Sequence, residues 1–225
     1  MNELIFFGHV ILVVAFILGA LRLGREFLFT CFAIQIVLAN LLIFKQITFF
    51  GLTMTCTEML TIGSILTLNL IQEYYSKKEA SKAIWVSFFM LVFFAFMTQI
   101  HLIYHPSPHD RAHDAYQAIL SSGPRVVFAS LFVTLFIQRL DMHLYSYLQK
   151  KLSPKRIVLR TFGSLVISQF LDTILFSFVG LFGLVHNIFH IICMSFFIKV
   201  IVISSMTPFT AFSKKIIGKH DPLSI

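Results

Sequence analysis

Seven long apolar runs, each about the length of a membrane-spanning helix, alternate with short polar segments along the chain. A helix needs about 20 apolar residues to cross the hydrocarbon core of a bilayer. The runs lie at 4–21, 27–44, 58–75, 83–104, 124–147, 157–181 and 185–207. Segments that are apolar on every face favour helices, because barrel strands alternate lipid-facing apolar residues with polar residues toward the lumen. The pattern predicts an all-α, polytopic transmembrane helix bundle of about seven spans.

Composition agrees with this prediction and excludes several classes of protein. Of the 225 residues, 57% are hydrophobic and only 12% are charged, whereas a soluble domain has roughly 25% charged residues. These values exclude a soluble enzyme, a disordered chain and a secreted disulfide scaffold. The sequence has no nucleotide-binding P-loop, no HExxH helix and no GxSxG elbow, so it predicts no enzyme, no cofactor and no resident metal.

The basic residues indicate how the bundle is oriented. Thirteen of the 18 Lys and Arg residues fall on one side of the predicted spans, in the clusters at 22–25, 77–82, 150–160 and 214–219. Lysine and arginine concentrate in cytoplasmic loops, so the C-terminus is expected in the cytoplasm. With seven spans, the N-terminus is then outside. Because the net charge of +8 comes from short clusters between spans, the sequence predicts no nucleic-acid partner.

Polar residues inside the spans are the candidate site. They are Asn69 and Glu73 in the third span, Gln138 and Asp141 in the fifth, Gln169 and Asp172 in the sixth, and Lys199 in the seventh. A charged side chain at bilayer depth costs roughly 2.5–3.5 kcal/mol on insertion scales, so each one requires a reason. The amide and carboxylate of each of the three helices share a face, because they are spaced i,i+3 or i,i+4.

Two explanations account for this polar set. These residues either hold the helices together as neutralising pairs, or line a cavity for a hydrophilic solute. A membrane bundle packs well through small residues alone, which favours the cavity. Carboxylates accept the adjacent N–H donors of a guanine-like base, and Gln or Lys donates to its carbonyl oxygen. Phenylalanine rings could stack on the planar base, although most of the 27 phenylalanines are expected to face lipid.

Several motifs, in order, resemble the queuosine-precursor transporter family, whose members are also described as vitamin-uptake-like membrane proteins. The resemblance covers about residues 27–212. The matching segments are Ala39-Asn40 through Lys45, Leu68-Asn69 through Ala80, Pro124-Arg125 through Ser130 with Gln138 to Asp141, Ser164 through Phe176, and Lys199 with Thr207-Pro208. The family usually has Asp where this chain has Asn69, and Gly where it has Tyr75. The loss of a carboxylate at Asn69 puts an ion-coupling role at that position in doubt.

The resemblance implies import of a 7-deazaguanine base, such as preQ0, preQ1 or queuine, for the queuosine modification of tRNA. It also implies a six-helix transporter core at 27–212, with an additional N-terminal helix and short basic loop at 1–26 and a basic cytoplasmic tail at 213–225. Asn40 and Arg125, which lie in its matching segments, join the seven polar span residues as candidate substrate-binding residues.

Alternatives stay open at this stage. The chain is either a transporter in its own right or a substrate-binding subunit that carries a different vitamin-like solute with a separate energising partner, and it either acts alone or forms a homodimer. A structural or assembly subunit is a third reading, in which the span charges serve helix packing alone. A His-ligated membrane redox protein is a rival from another class. Its support is limited to the i,i+4 pairs His101 with His105 and His186 with His190.

Overall fold

The computed structural model describes residues 1–55, 57–120, 124–181 and 188–217, with the side chains at 52–54, 124–126, 181 and 190 also outside the description. Over these residues the chain forms a bundle of long helices. Its helices and strands are α1 Asn2–Leu23, α2 Arg25–Leu41, β1 Gln46–Phe49, β2 Leu52–Thr55, α3 Glu58–Tyr74, α4 Lys77–Ile103, α5 His113–Leu120, α6 Pro124–Lys151, α7 Ile157–Phe176, α8 Ile188–Met206 and α9 Thr210–Ile217.

The long helices confirm the predicted helical bundle with membrane-length segments. Five helical segments of the described chain are long and apolar enough to cross a membrane: Asn2–Leu23, Lys77–Ile103, Val127–Lys151, Pro154–Gly180 and Ile191–Ile216. The other two predicted spans form α2 and α3, which have 17 residues each. At about 1.5 Å per residue each is roughly 25 Å long, somewhat shorter than a hydrocarbon core of about 30 Å.

Helix α3 is the central element of the bundle. It contacts α1, α2, α4, α6, α7 and α8, and almost all of its side chains from Met59 to Gln72 are buried. Gly63 permits part of this packing, because a Cβ atom there would lie 2.9 Å from Val13 Cγ1 and closer still to the side-chain oxygen of Gln35. Because neighbouring helices cover α3 on nearly every side, its polar residues lie inside the protein together with its apolar ones.

Short connections make neighbouring helices antiparallel. Gly24 alone separates α1 from α2, with φ of 119°, a conformation that favours glycine. The turn between α3 and α4 contains Ser76, whose hydroxyl accepts a hydrogen bond from the backbone N–H of Glu79 at 3.2 Å. This is a helix N-cap, which satisfies one of the first backbone donors of α4. Both connections agree with the short loops predicted from the sequence.

A β-hairpin is the part of the fold that the sequence analysis did not predict. Strands β1 and β2 pair antiparallel around Phe50-Gly51, which both have positive φ, as a two-residue hairpin turn requires. Phe49 is buried with its ring 4.3 Å from that of Phe6, centroid to centroid. Asn2 Nδ2 also donates to the Thr48 carbonyl at 2.9 Å. The hairpin therefore covers the end of the bundle where α1 begins.

Candidate functional site

A pocket of about 360 Å³ lies between α2, α3, α6 and α7. Its polar lining residues are Asn40, Thr61, Ser64, Thr134, Gln138, Gln169 and Asp172, and isoleucine and alanine side chains form the rest of the described wall. Four of the nine residues predicted for the site, Asn40, Gln138, Gln169 and Asp172, thus line one cavity.

The helix positions of these residues place the pocket in the hairpin-side half of the bundle. Thr61 and Ser64 belong to the first half of α3, just after the hairpin, whereas Gln169 and Asp172 belong to the second half of the antiparallel α7. Asn40 is close to the end of α2 that leads into the hairpin. The pocket is therefore reached more directly from the hairpin side than from the opposite end.

A second pocket, of about 580 Å³, adjoins the first at Asn40. It lies between α2, α4, α5 and α6, and Phe94 and Phe176 are among its lining residues. Asn40 Oδ1 accepts a hydrogen bond from Ser130 Oγ at 2.5 Å, between the two pockets. None of the described residues that line the smaller pocket is aromatic, so any stacking by phenylalanine belongs to the larger one.

Gln169 and Asn69 are buried amides without hydrogen-bond partners. Each is 1% exposed, and neither the oxygen nor the nitrogen of either side chain has a partner among the described residues. Buried polar atoms are nearly always hydrogen-bonded, because an unpaired one costs free energy. Gln138 differs in that its oxygen accepts a 3.3 Å hydrogen bond from Ser87 Oγ. The unpaired amides are the groups most ready to bind a polar ligand.

Asp141 lies beside these amides on α6 and is fully buried. Its Oδ1 accepts hydrogen bonds from two α7 hydroxyls, Ser164 Oγ and Ser168 Oγ, the latter at 3.0 Å. Its Oδ2 has no partner among the described residues. The sequence analysis missed the two serines, although their i,i+4 spacing with each other was a signal for a polar helix face.

Asp172 and Lys199 form an ion pair between α7 and α8. Lys199 Nζ donates to Asp172 Oδ2 at 2.5 Å, and both side chains are largely buried. Glu58, at the start of α3, lies close enough to interact electrostatically with both residues. Two carboxylates therefore share one ammonium group at the edge of the pocket. The sequence analysis did not include Glu58 among the candidate site residues, since a carboxylate at the first position of an apolar run is equally typical of a solvated residue.

Glu73 is already fully bound by neighbouring side chains and does not line the pocket. Arg160 Nη2 donates to Oε1 at 2.5 Å, whereas Tyr145 OH and Gln149 Nε2 donate to Oε2 at 3.0 and 3.1 Å. We call these four residues the inner cluster. Arg160, which the sequence analysis counted with the basic cluster at 150–160, is 1% exposed and is a buried partner of Glu73.

Other predicted residues contribute less to the observed geometry. The side chain of Arg125 lies outside the described residues, as do the whole of His186 and the side chain of His190. His101 packs edge-on against Tyr116. Among the described residues, no group of three His, Cys, Asp or Glu side chains is arranged to hold a metal ion. The geometry therefore consists of amides, hydroxyls and ion pairs around a cavity.

Comparison with known proteins agrees with the resemblance seen in the motifs. The family described as "Putative vitamin uptake transporter" matches residues 55–213. A protein of Bacillus subtilis (strain 168), named "Probable queuosine precursor transporter", is 32% identical over 222 residues, which cover 96% of each chain. No solved structure matches the chain. The predicted family is thus confirmed, and its function is transport and not catalysis. The chain belongs to this vitamin uptake transporter family of multi-pass membrane proteins.

Proposed function

We propose that this transporter imports a queuosine precursor, a 7-deazaguanine base such as preQ0, preQ1 or queuine, for the modification of tRNA. The observation that carries the proposal is the Gln169 amide, which has no hydrogen-bond partner in the described part of the chain and lies at the wall of a pocket inside the helix bundle. The name of the Bacillus subtilis relative supports this substrate class. Neither a separate energising partner nor a His-ligated redox centre is favoured by a specific contact in the described chain.

The polar groups of the pocket suit such a base. The amides of Gln169, Gln138 and Asn40 can accept the N–H donors of a guanine-like edge and donate to its carbonyl oxygen, and the Asp172 carboxylate can balance the cationic amine of preQ1 or queuine. The aliphatic wall excludes water and strengthens these hydrogen bonds. Lys199 holds Asp172 in place through its 2.5 Å contact.

The remaining predicted residues whose side chains the structure describes do not line the pocket. The Asn69 amide has no hydrogen-bond partner among the described residues, and Asp141 is not assigned a direct contact with the base. Glu73 acts through the inner cluster. Arg125 stays in the proposed set because its segment resembles a signature of the family, and its side chain lies outside the described residues.

We infer a topology of seven spans, formed by α1, α2, α3, α4, α6, α7 and α8, in the bacterial cytoplasmic membrane. The N-terminus is then outside and the C-terminus is in the cytoplasm. The hairpin faces outward, and the basic clusters near residues 22, 77, 150 and 214 face inward, as the positive-inside rule requires. The six-helix core at 27–212, the added helix at 1–26 and the basic tail at 213–225, of which 218–225 are not described, fit this arrangement.

This topology gives the inner cluster a role in transport. The pocket lies in the outer half of the bundle, whereas Glu73, Tyr145, Gln149 and Arg160 lie toward the cytoplasmic ends of α3, α6 and α7. The cluster thus closes the bundle on the cytoplasmic side of the pocket. Import requires its contacts to separate, so that the base leaves toward the cytoplasm.

Complementation tests the proposal directly. A bacterial strain that lacks both precursor synthesis and its own transporter would express this chain, with a base-inserting enzyme matched to each precursor. We expect queuosine in tRNA at low external precursor concentration only when the chain is present, and the precursor that works identifies the ligand. Absence of queuosine with every precursor, despite good expression in the membrane, would contradict the proposal.

A further inference from the structure

Asp141 is the one buried carboxylate in the described part of the bundle that has no cationic partner. Glu73 is paired with Arg160, and Asp172 and Glu58 share Lys199. Among the described residues, the Asp141 carboxylate instead accepts hydrogen bonds from the hydroxyls of Ser164 and Ser168 alone and forms no ion pair.

The charged groups on every element packed against α6 have positions or partners that exclude them as counter-ions. On α7 and α3, Arg160 and Glu73 bind each other, and Asp172 binds Lys199. On α6 itself, Arg139 lies over the Trp85 ring at 4.8 Å and His143 is exposed, whereas Arg125 belongs to the first turn of the helix and Lys150 and Lys151 to the last. The titratable groups of α4, which are Lys77, Lys78, Glu79, Lys82 and His101, lie at its two ends. The π-helical turn Ser177–Leu181 carries no charged residue.

An ionised carboxylate in this position would be an uncompensated buried charge, which is strongly unfavourable. A proton on Oδ2 removes the charge and leaves Oδ1 free to keep its two serine hydrogen bonds. We propose that Asp141 is the coupling site of the transporter. Its carboxyl takes up a proton from the outer side together with the imported base, and releases that proton to the cytoplasm. This inference rests on the proposed function.

Polar groups of α3 and α6 lie between Asp141 and the cytoplasmic end, although no hydrogen bond joins them to the Asp141 carboxyl among the described residues. The Gln72 amide nitrogen donates to the carbonyl of Met142, the residue after Asp141, at 3.1 Å and to Ser146 Oγ at 2.7 Å. The Gln72 oxygen has no partner among the described residues. One residue further along α3 is Glu73 of the inner cluster. The same opening that releases the base to the cytoplasm thus exposes the Asp141 side of the bundle to water, where the proton leaves.

Transport by purified protein in liposomes tests the inference. The probe is preQ0, a neutral base, so that the only charge moved is the proton. With the lumen one pH unit more alkaline than the outside, one proton per base drives accumulation of up to about tenfold, and a lumenal pH dye reports acidification. Asp141→Asn resembles the protonated carboxyl but cannot release a proton. We expect it to retain exchange of internal for external preQ0 and to lose accumulation and acidification.

The matched control is Asp114→Asn, the same chemical change at an exposed position on α5. It should accumulate preQ0 as the wild type does. The inference is overturned if wild-type accumulation ignores the pH gradient, if a sodium gradient drives it instead, or if Asp141→Asn accumulates normally. If Asp141→Asn fails to fold, the dye measurement on the wild type still tests the inference, because preQ0 uptake without lumenal acidification overturns it. If wild-type protein does not exchange any of the three precursors, the proposed function itself fails, which is a distinct result.

Discussion

Gln169 and Asp172 lie nearly one turn apart on α7 and both line the pocket, yet their surroundings differ completely. The Asp172 carboxylate is held by Lys199, whereas the Gln169 amide has no partner among the described residues. Removing an unpartnered polar group relieves a desolvation cost, but removing one member of a buried pair creates one. Substitution of Gln169 is therefore expected to affect ligand binding without lowering stability, whereas substitution of Asp172 breaks a buried pair and can affect both.

Gln169→Leu should abolish most uptake without loss of protein. Leucine has nearly the same volume, and no protein hydrogen bond is lost, so we expect an unchanged amount in the membrane and uptake reduced at least about tenfold, since a good hydrogen bond to a ligand contributes on the order of 1.4 kcal/mol or more. Quantitative uptake normalised to protein amount checks this.

The matched variant is Gln35→Leu, at another buried glutamine. Gln35 Nε2 donates to the Cys31 carbonyl and to Thr67 Oγ1, which joins α2 to α3. This substitution should instead lower the melting temperature and the amount of protein. If Gln169→Leu destabilises as much as Gln35→Leu, Gln169 has a packing role only.

Asp172→Asn should discriminate between ligands according to their charge. The carboxylate can balance the cationic amine of preQ1 or queuine, whereas preQ0 has none. A charge-assisted hydrogen bond contributes about 1.5–3 kcal/mol, so uptake of the cationic bases should fall by roughly tenfold to a hundredfold more than uptake of preQ0. Competition assays on equal amounts of protein measure this, and equal losses for every ligand would refute charge balance by Asp172.

At the scale of the helices, Gly63 allows α3 to pack closely against α1 and α2. Gly63→Ala forces α3 away from Val13 and Gln35, and overpacking of this kind typically costs about 1–3 kcal/mol. We expect a lower melting temperature in detergent. Gly19→Ala on α1 is the control, because a Cβ there meets nothing within 4 Å and alanine favours the helix. Equal melting temperatures for the two variants would show that α3 does not need this approach.

At the scale of the whole molecule, the proposed topology requires both short helices, α2 and α3, to span the membrane. Labelling on either side of α3 tests this requirement. In a cysteine-free background, Lys45→Cys and Lys78→Cys place single thiols on either side of α3, both at exposed positions. A membrane-impermeant maleimide applied to intact cells with the outer membrane removed should label Cys at 45 and reach Cys at 78 only after permeabilisation. Labelling of both positions from the same side would mean that α3 does not span the membrane.

Several features of the fold were predictable because they depend on local chemistry. Long apolar runs specify membrane-length helices, since backbone groups in lipid must be satisfied within the segment. The hairpin at 46–55 was missed because it is short, and only the turn at Phe50-Gly51 marks it. The side-chain packing of Phe49 on Phe6 that stabilises it joins residues far apart in the chain.

Within the site, the sequence predicted which polar residues lie at membrane depth, and the family match confirmed what kind of protein carries them. It did not distinguish Glu73, which is fully bound, from Gln169, which is unpartnered, because both are simply polar residues in apolar runs. Nor did it find Arg160 as a buried partner of Glu73, because the sequence analysis used this residue only in the count of basic residues on one side of the spans.

The sequence by itself thus determined the class of protein, the positions of its helices and the side that carries positive charge, because hydropathy and charge act residue by residue. Only the tertiary structure decided which polar groups pair with each other and which stay free to bind. Pairing depends on distances of about 3 Å between side chains on different helices, and packing of α3 against six neighbours sets those distances. Asp141 is an example, because in the described part of the chain its buried carboxylate forms no ion pair.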